Sequence, residues 1–209
     1  MLENSPTKAR RERQKAELRQ AILQAARDIA AQEGWHAVTT RKVADKIEYS
    51  LPTLYEYFEN KAALLAELNR EGYRQLLATL QAARAKSADI REDAREIALA
   101  YCNFAWQHRE LYEVMHGLSG VYLEEATYHD EAQALLAEAH DMLSEWAKAE
   151  KVKLENIDDA VHVLWATLHG IASLALAKQV PGGKKRAAAL ARQAMDDLLS
   201  AWKSQAHKT

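Results

Sequence analysis

The sequence predicts an all-α protein: an N-terminal three-helix unit with helix-turn-helix rhythm, then a C-terminal helical domain, about nine helices in all. Three observations carry this. Seven Gly and three Pro among 209 residues leave little material for hairpin turns. Ala, Leu, Glu, Gln, Lys and Arg, which lose least on entering a helix, dominate the rest. Apolar side chains recur at steps of three and four almost from end to end. With 48% apolar and 28% charged side chains the chain can build a real core, which excludes disorder.

From Lys8 to about Glu33, Leu18, Ile22, Ala25 and Ile29 mark one buried face, and Gly34 stops the helix. A second helix of about two turns follows, capped by Thr39 or Thr40, with Val43, Ala44 and Ile47 on one side. Pro52 fits only a first turn, where amides need no intrahelical acceptor, so a third helix opens at Ser50 to Tyr55. Asn60 caps a fourth through Leu64, Leu65, Leu68, Leu76, Leu77 and Leu80, weak only at Gly72 and ending near Ser87. Asp89 with Glu92 resembles a capping pair for a fifth, whose face continues through Ile97, Tyr101 and Phe104. A short sixth holds Leu111, Val114 and Met115, and Leu135, Met142 and Trp146 mark a seventh. Asn156 opens an eighth running to about Gln179. Pro181-Gly182-Gly183 then breaks the chain before a ninth helix with Leu190, Ala194, Leu198 and Trp202 on one side.

On the eighth helix Val161, Val163, Leu164, Trp165, Leu168, Ile171, Leu174 and Leu176 point in nearly every direction. Either its own domain encloses it, or it pairs with its copy across a two-fold axis. The second reading places Val161, Leu164, Leu168 and Ile171, with Leu190, Ala194 and Leu198, in a homodimer interface. The longest uncharged run, Val161 to Ala177, is too short for a typical span and carries two histidines, so no membrane partner is expected. A net charge of −2 supplies no global attraction for nucleic acid. The single cysteine, Cys102, suits a reducing cytosol, and the polar start lacks the apolar stretch of a signal peptide, so a cytoplasmic location is expected.

Gly34 to Leu65, GWHAVTTRKVADKIEYSLPTLYEYFENKAALL, closely resembles the DNA-binding domain of the TetR family of transcriptional regulators. The matching positions are Gly34, Thr40, Val43, Ala44, Ser50, Thr53-Leu54-Tyr55, Tyr57-Phe58, Lys61 and Leu64. The resemblance implies a repressor released from a near-palindromic double-stranded operator by a small-molecule effector. Residues 1–61 would read DNA and residues 62–209 would bind effector and dimerise. Glu48 stands where the family has Gly, so a non-glycine residue must turn left-handed there.

The candidate DNA-binding set is Thr40, Ser50, Leu51, Pro52, Thr53, Tyr55, Tyr57 and Lys61. A helix in the major groove presents its N-terminal residues to base edges. Leu51 and Pro52 offer only apolar contact, best suited to thymine methyls, while Ser50 and Tyr55 add polar contacts. By resemblance Thr40, Tyr57 and Lys61 touch phosphate. The bland alternative for the tyrosines is packing beside Leu54 and Phe58, and it weighs more for Tyr55 than for Tyr57; for Lys61 it is a solvated surface lysine. Lys8, Arg10, Arg11, Arg13 and Lys15 form either an arm along the duplex or an ordinary solvated helix start.

Trp165-Ala-Thr-Leu-His169-Gly170 resembles the pattern of the WHG group of TetR-type C-terminal domains. The residues to search for an effector pocket are Tyr101, Phe104, Trp106, Tyr112, Met115, His116, Trp146, Trp165 and His169, which combine apolar walls with a few polar anchors and suit an apolar or aromatic effector. Taken singly, each fits a core role equally well, and a buried His169 with a satisfied hydrogen bond is the plainer reading.

Two rival classes remain. Glu113-x-x-His116 is the helical pair used by di-iron bundles, but the other such pair, Glu33 to His36, falls at a helix stop. No glycine-rich phosphate loop or nucleophile elbow occurs, so no catalytic residue, metal or cofactor is assigned. A purely structural helical adaptor is the third option.

Overall fold

The computed structural model describes residues 6–84, 89–118, 120–124 and 129–206. The elements are α1 (Pro6–Glu33), a 3-10 turn (Trp35–Ala37), α2 (Thr40–Lys46), α3 (Leu51–Tyr55), α4 (Lys61–Arg84), α5 (Ile90–Gln107), α6 (Arg109–Met115), α7 (His129–Glu150), α8 (Ile157–Leu176) and α9 (Gly183–Ala206). No strand occurs among the described residues. The expected end of α4 near Ser87 lies outside them.

The helix starts follow capping chemistry. Thr39 accepts from the Lys42 amide at 3.1 Å, Ser50 from Thr53 at 3.3 Å, Asn60 from Ala63 at 2.9 Å and Asn156 from Asp158 at 3.0 Å. Asp89 accepts from Arg91 at 2.9 Å, but Glu92 does not close a capping pair. It binds Arg95 and Arg192 instead, at 2.9 and 2.7 Å, because α9 packs alongside α5 and brings a guanidinium within reach. Glu48 turns at φ 60°, as the departure from Gly requires, at a cost of about 1–2 kcal/mol.

Two cores result. The first joins Ile22, Ala26 and Ile29 of α1 to Val43, Leu54 and Phe58, and takes in Leu64, Leu65 and Leu68 of α4 and Leu111 and Val114 of α6. The second runs from Tyr73, Leu76 and Leu80 of α4 through α5, α7, α8 and α9, and includes Tyr112 and Met115 of α6. The chain passes from one core to the other within α4, several turns beyond residue 61, and α6 gives one side to each.

Gly72 makes room for α6: a Cβ there would stand 2.5 Å from Met115 Sδ, so Met115 as it lies packs directly over position 72. The two cores are also tied by ions: Arg27 of α1 binds Glu110 of α6 at 2.8 Å and Glu71 of α4 at 3.3 Å. Trp35 Nε1 donates to the Glu110 carbonyl at 3.0 Å.

α8, at 20 residues, is long and apolar enough to cross a membrane, beyond what its uncharged run suggested. Its Val161, Leu164, Leu168 and Ala172 pack in the second core.

Candidate functional site

The N-terminal unit presents one polar face. Ser50 caps α3, its hydroxyl shares a hydrogen bond with Thr53 at 2.8 Å, and Pro52 is exposed while Leu51 is half-buried. Leu54, fully buried, anchors the short helix, so the opposite side of α3 is the side left for a partner. Tyr55 is 47% exposed with its hydroxyl 3.5 Å from Thr40 Oγ1, joining the start of α2 to the end of α3 in one surface. Tyr57 packs against the first core instead, which reverses the sequence-based weighting of the two tyrosines: Tyr55, one residue on from Leu54, points about 100° away from the buried face, and Tyr57 lies against α1.

Lys61 is half-buried, and its Nζ donates to the Trp35 carbonyl at 3.3 Å, which holds the ammonium at the amino end of α4. Arg41, which the sequence-based set does not contain, is exposed beside Thr40 in the first turn of α2. Lys8 to Lys15 belong to α1, are helical and are exposed; Arg11 and Lys15 border a groove shared with Tyr49 and Tyr57.

The second core contains two adjoining cavities. One, with about 90 Å³ open to the centre of a water molecule, lies between α4, α5, α7 and α8 and is walled by Leu80, Ile97, Met142, Leu164 and Leu168 with Tyr101. The other, about 290 Å³, is a cleft between α4, the end of α6 and α8, lined by Asn69, Met115, His116 and His169. Tyr73 and Trp165 line both. A hydrogen-bonded chain runs behind them: Tyr101 hydroxyl to Tyr112 hydroxyl at 3.2 Å, Tyr112 to His169 Nδ1 at 2.8 Å, His169 Nε2 to Ser173 at 3.2 Å.

Burial lowers the pKa of His169 and, with the nearby His169 ring adding to it, pulls His116 down to about 3. Burial also pushes the Tyr101 and Tyr112 phenols up. At neutral pH the whole cluster is therefore uncharged. The His116 ring sits edge-on to Tyr112 and to His169, each with centroids 4.5 Å apart.

Of the nine residues named for the pocket, Tyr101, Met115, His116, Trp165 and His169 line the two cavities. Tyr112 stands behind them in the hydrogen-bonded chain. Phe104 and Trp146 are core, and Trp106 is 39% exposed near Gly183, across the molecule from the cleft. Asn69 was missed, although it falls on the buried stripe of α4 between Leu65 and Leu76, where a polar residue signals a purpose. Glu113 pairs with Arg109 at 2.7 Å, and no group of three or more His, Cys, Asp or Glu among the described residues is arranged to hold a metal.

The surfaces named for dimerisation divide. Val161, Leu164 and Leu168 are consumed by the protomer's own core, and Ile171 packs against it. The exposed apolar face of α8 lies about a quarter-turn or more away, at Val163, Ala166 and Leu174. On α9 the buried face is Ala187, Ala191, Met195 and Leu199, one residue along from the expected stripe, which leaves Leu190, Ala194 and Leu198 half-buried at its edge. α5, α7 and α9 pack against α8 and cover part of its apolar circumference, leaving Val163, Trp165 and Leu174 exposed in the single chain.

Residues 22–68 match the family described as bacterial regulatory proteins, tetR family, and residues 94–198 match the tetracyclin repressor-like C-terminal domain. The narrower WHG resemblance rests on Trp165, His169 and Gly170. The HTH-type transcriptional regulator YdeS of Bacillus subtilis (strain 168) is 40% identical over 47 residues, 22% of this chain and 24% of that protein's length. Among solved structures, a Rhodococcus sp. RHA1 protein of unknown function has a TM-score of 0.79 at 24% identity, covering 89% of this chain and 95% of its own. The regulator FadR from Bacillus subtilis, in complex with stearoyl-CoA, has a TM-score of 0.72 at 18% identity, covering 87% and 97%. At these identities the two structures share the fold.

Proposed function

The chain belongs to the TetR family and is a DNA-binding transcriptional regulator, and from that premise we propose that it is a homodimeric repressor acting in the bacterial cytoplasm and released from its operator by a small apolar or aromatic effector. One observation carries the reading. α6 has Leu111 and Val114 in the head core, Tyr112 and Met115 in the second core, and its end in the wall of the cleft. A ligand seated against Met115 and His116 presses on the helix whose other end holds Arg27 and Trp35 of the head. Differential binding to two positions of α6 then becomes a change in head placement. Moving the operator from nearly full to nearly empty requires a preference of about 5.5 kcal/mol in total.

The dimer face is supported by a glycine. Gly170 sits mid-helix in α8, where Gly costs about 1 kcal/mol relative to Ala, yet a Cβ there meets nothing within 4 Å in the protomer. Together with exposed Val163, Ala166 and Leu174 it forms a stripe suited to close approach by a second α8. Two α3 helices so joined would enter successive major grooves about 34–36 Å apart.

Selection of bound sequences from a random duplex pool tests this: the expected product is a near-palindrome with half-sites about one helical turn, or a multiple of it, apart. Arg41→Ala and Lys61→Ala should each weaken binding to all sequences and reduce the salt slope by about 0.9. A recovered motif without symmetry would remove the dimeric reading, and unchanged slopes would remove those two residues from the phosphate contacts.

A further inference from the structure

Asn69 is fully buried on α4, and its Nδ2 donates to the Val114 carbonyl at 3.3 Å. That bond orients the amide, leaving Oδ1 as a buried acceptor with no partner among the described residues. His116 Nε2, at the end of α6, is buried and without a partner in the same way. Both residues line the cleft of about 290 Å³. An unmade hydrogen bond costs about 1–3 kcal/mol at each buried group, so two such atoms at one cleft mark a place built to be completed.

The chemistry that completes it is limited by charge. Among the described residues no Asp, Glu, Lys or Arg lines the cleft, and the two histidines beside it are held neutral by burial. A carboxylate, phosphate or ammonium brought to these two buried atoms would therefore find no counter-ion among the described lining residues.

We propose, resting on the effector reading above, that the cleft recognises an uncharged, hydroxyl-bearing amphiphile. Its O–H donates to Asn69 Oδ1, its oxygen accepts from His116 Nε2–H, and its hydrocarbon part lies against Trp165 and Tyr73 toward the apolar cavity. Asn69 Oδ1 can only accept, which makes the hydroxyl proton the discriminating atom. A methyl ether of the same shape can still accept from His116 Nε2–H but leaves Asn69 Oδ1 unmatched.

Calorimetric titration of the full chain with 1-naphthol, 1-methoxynaphthalene and 1-naphthoate tests this. Naphthol should bind at least about tenfold more tightly than either of the others. In Asn69→Leu the advantage of naphthol over the ether should shrink to under about threefold, while the ether affinity should hold. Should Asn69→Leu fail to fold, His116→Phe removes the donor that both neutral ligands use and should weaken naphthol and ether alike; unchanged affinities would overturn the proposal. Equal binding of naphthol and ether, tightest binding by naphthoate, or no binding by any of the three overturns the proposal. Naphthol that binds with the expected discrimination but leaves operator DNA bound would refute its role as an effector and leave the recognition chemistry standing.

Discussion

In the head, Thr39, Ser50 and Asn60 each accept a backbone amide at the start of a helix, and Lys61 donates to a carbonyl. In the second core, Asn69 Oδ1 and His116 Nε2 are buried with no partner among the described residues, and two cavities interrupt the packing. The head places its reactive groups on a surface stiffened by satisfied polar contacts. The second core places them inside, at a standing cost in stability. A rigid reading surface needs no ligand to be complete, whereas a receptor that must respond to one is built with something left to gain.

The largest expected effect separates the inward and outward sides of α8. Leu168→Asp should unfold the C-terminal domain at a cost of about 4 kcal/mol or more, because an ionised carboxylate would be buried in the second core without a partner. Leu174→Asp, on the 47% exposed side, should leave helicity and melting of the protomer intact and dissociate the dimer in light scattering. A folded, dimeric Leu174→Asp would break the assignment of that face.

Much of the head was legible in the sequence, because its signals are local. Proline at the start of α3, threonine, serine and asparagine caps, and a four-residue turn fix the element order without reference to distant residues. Glu48 shows how far this reaches: its positive φ was expected from one departure in a motif, and the backbone turns there at 60°. The cavities were not legible to the same degree. Tyr101, Trp165 and His116 were reached through composition, but that Asn69 shares a cleft with His116 depends on how α6 lies on α4. The faces of α8 were harder still, since apolar residues surround the helix and periodicity does not say which side the chain's own helices cover.

A test at the joint between the cores is next in size. Gly72→Ala places a methyl 2.5 Å from Met115 Sδ, so α6 must shift or Met115 must change rotamer. The expected cost is about 1–3 kcal/mol, read as a lower denaturant midpoint, with helix content retained. Gly170→Ala, with open space around its Cβ, should by contrast raise the stability of the isolated protomer by about 0.5–1 kcal/mol. Equal effects at the two glycines would mean that α6 is not held against α4 by close contact, and the joint would lose its role in linking head to cleft.

The smallest effect concerns protons. His116 titrates at about 3 in the folded chain against an ordinary value of 6.5, so between these limits an unfolded chain binds a proton that the folded one refuses. Stability contributed by the neutral ring is complete above pH 6.5 and drains away as pH falls toward 3. Glu67 and Glu150, each held at about 2, fail in a lower window: burial opposes the shift at Glu67 but is outweighed by Arg70, Arg74 and Arg19, and Arg91 and Lys203 hold Glu150 down. Their contributions are lost only as pH drops below 4.5, so the interval from 6.5 to 4.5 isolates the histidines. There, His116→Phe should flatten the dependence of the denaturant midpoint on pH by up to one proton, leaving the lesser contribution of His169, whose pKa burial lowers in the same direction. An identical slope in parent and variant would mean that His116 is hydrated when folded, and the contrast between a satisfied head and an unsatisfied receptor core would fail at its most sensitive residue.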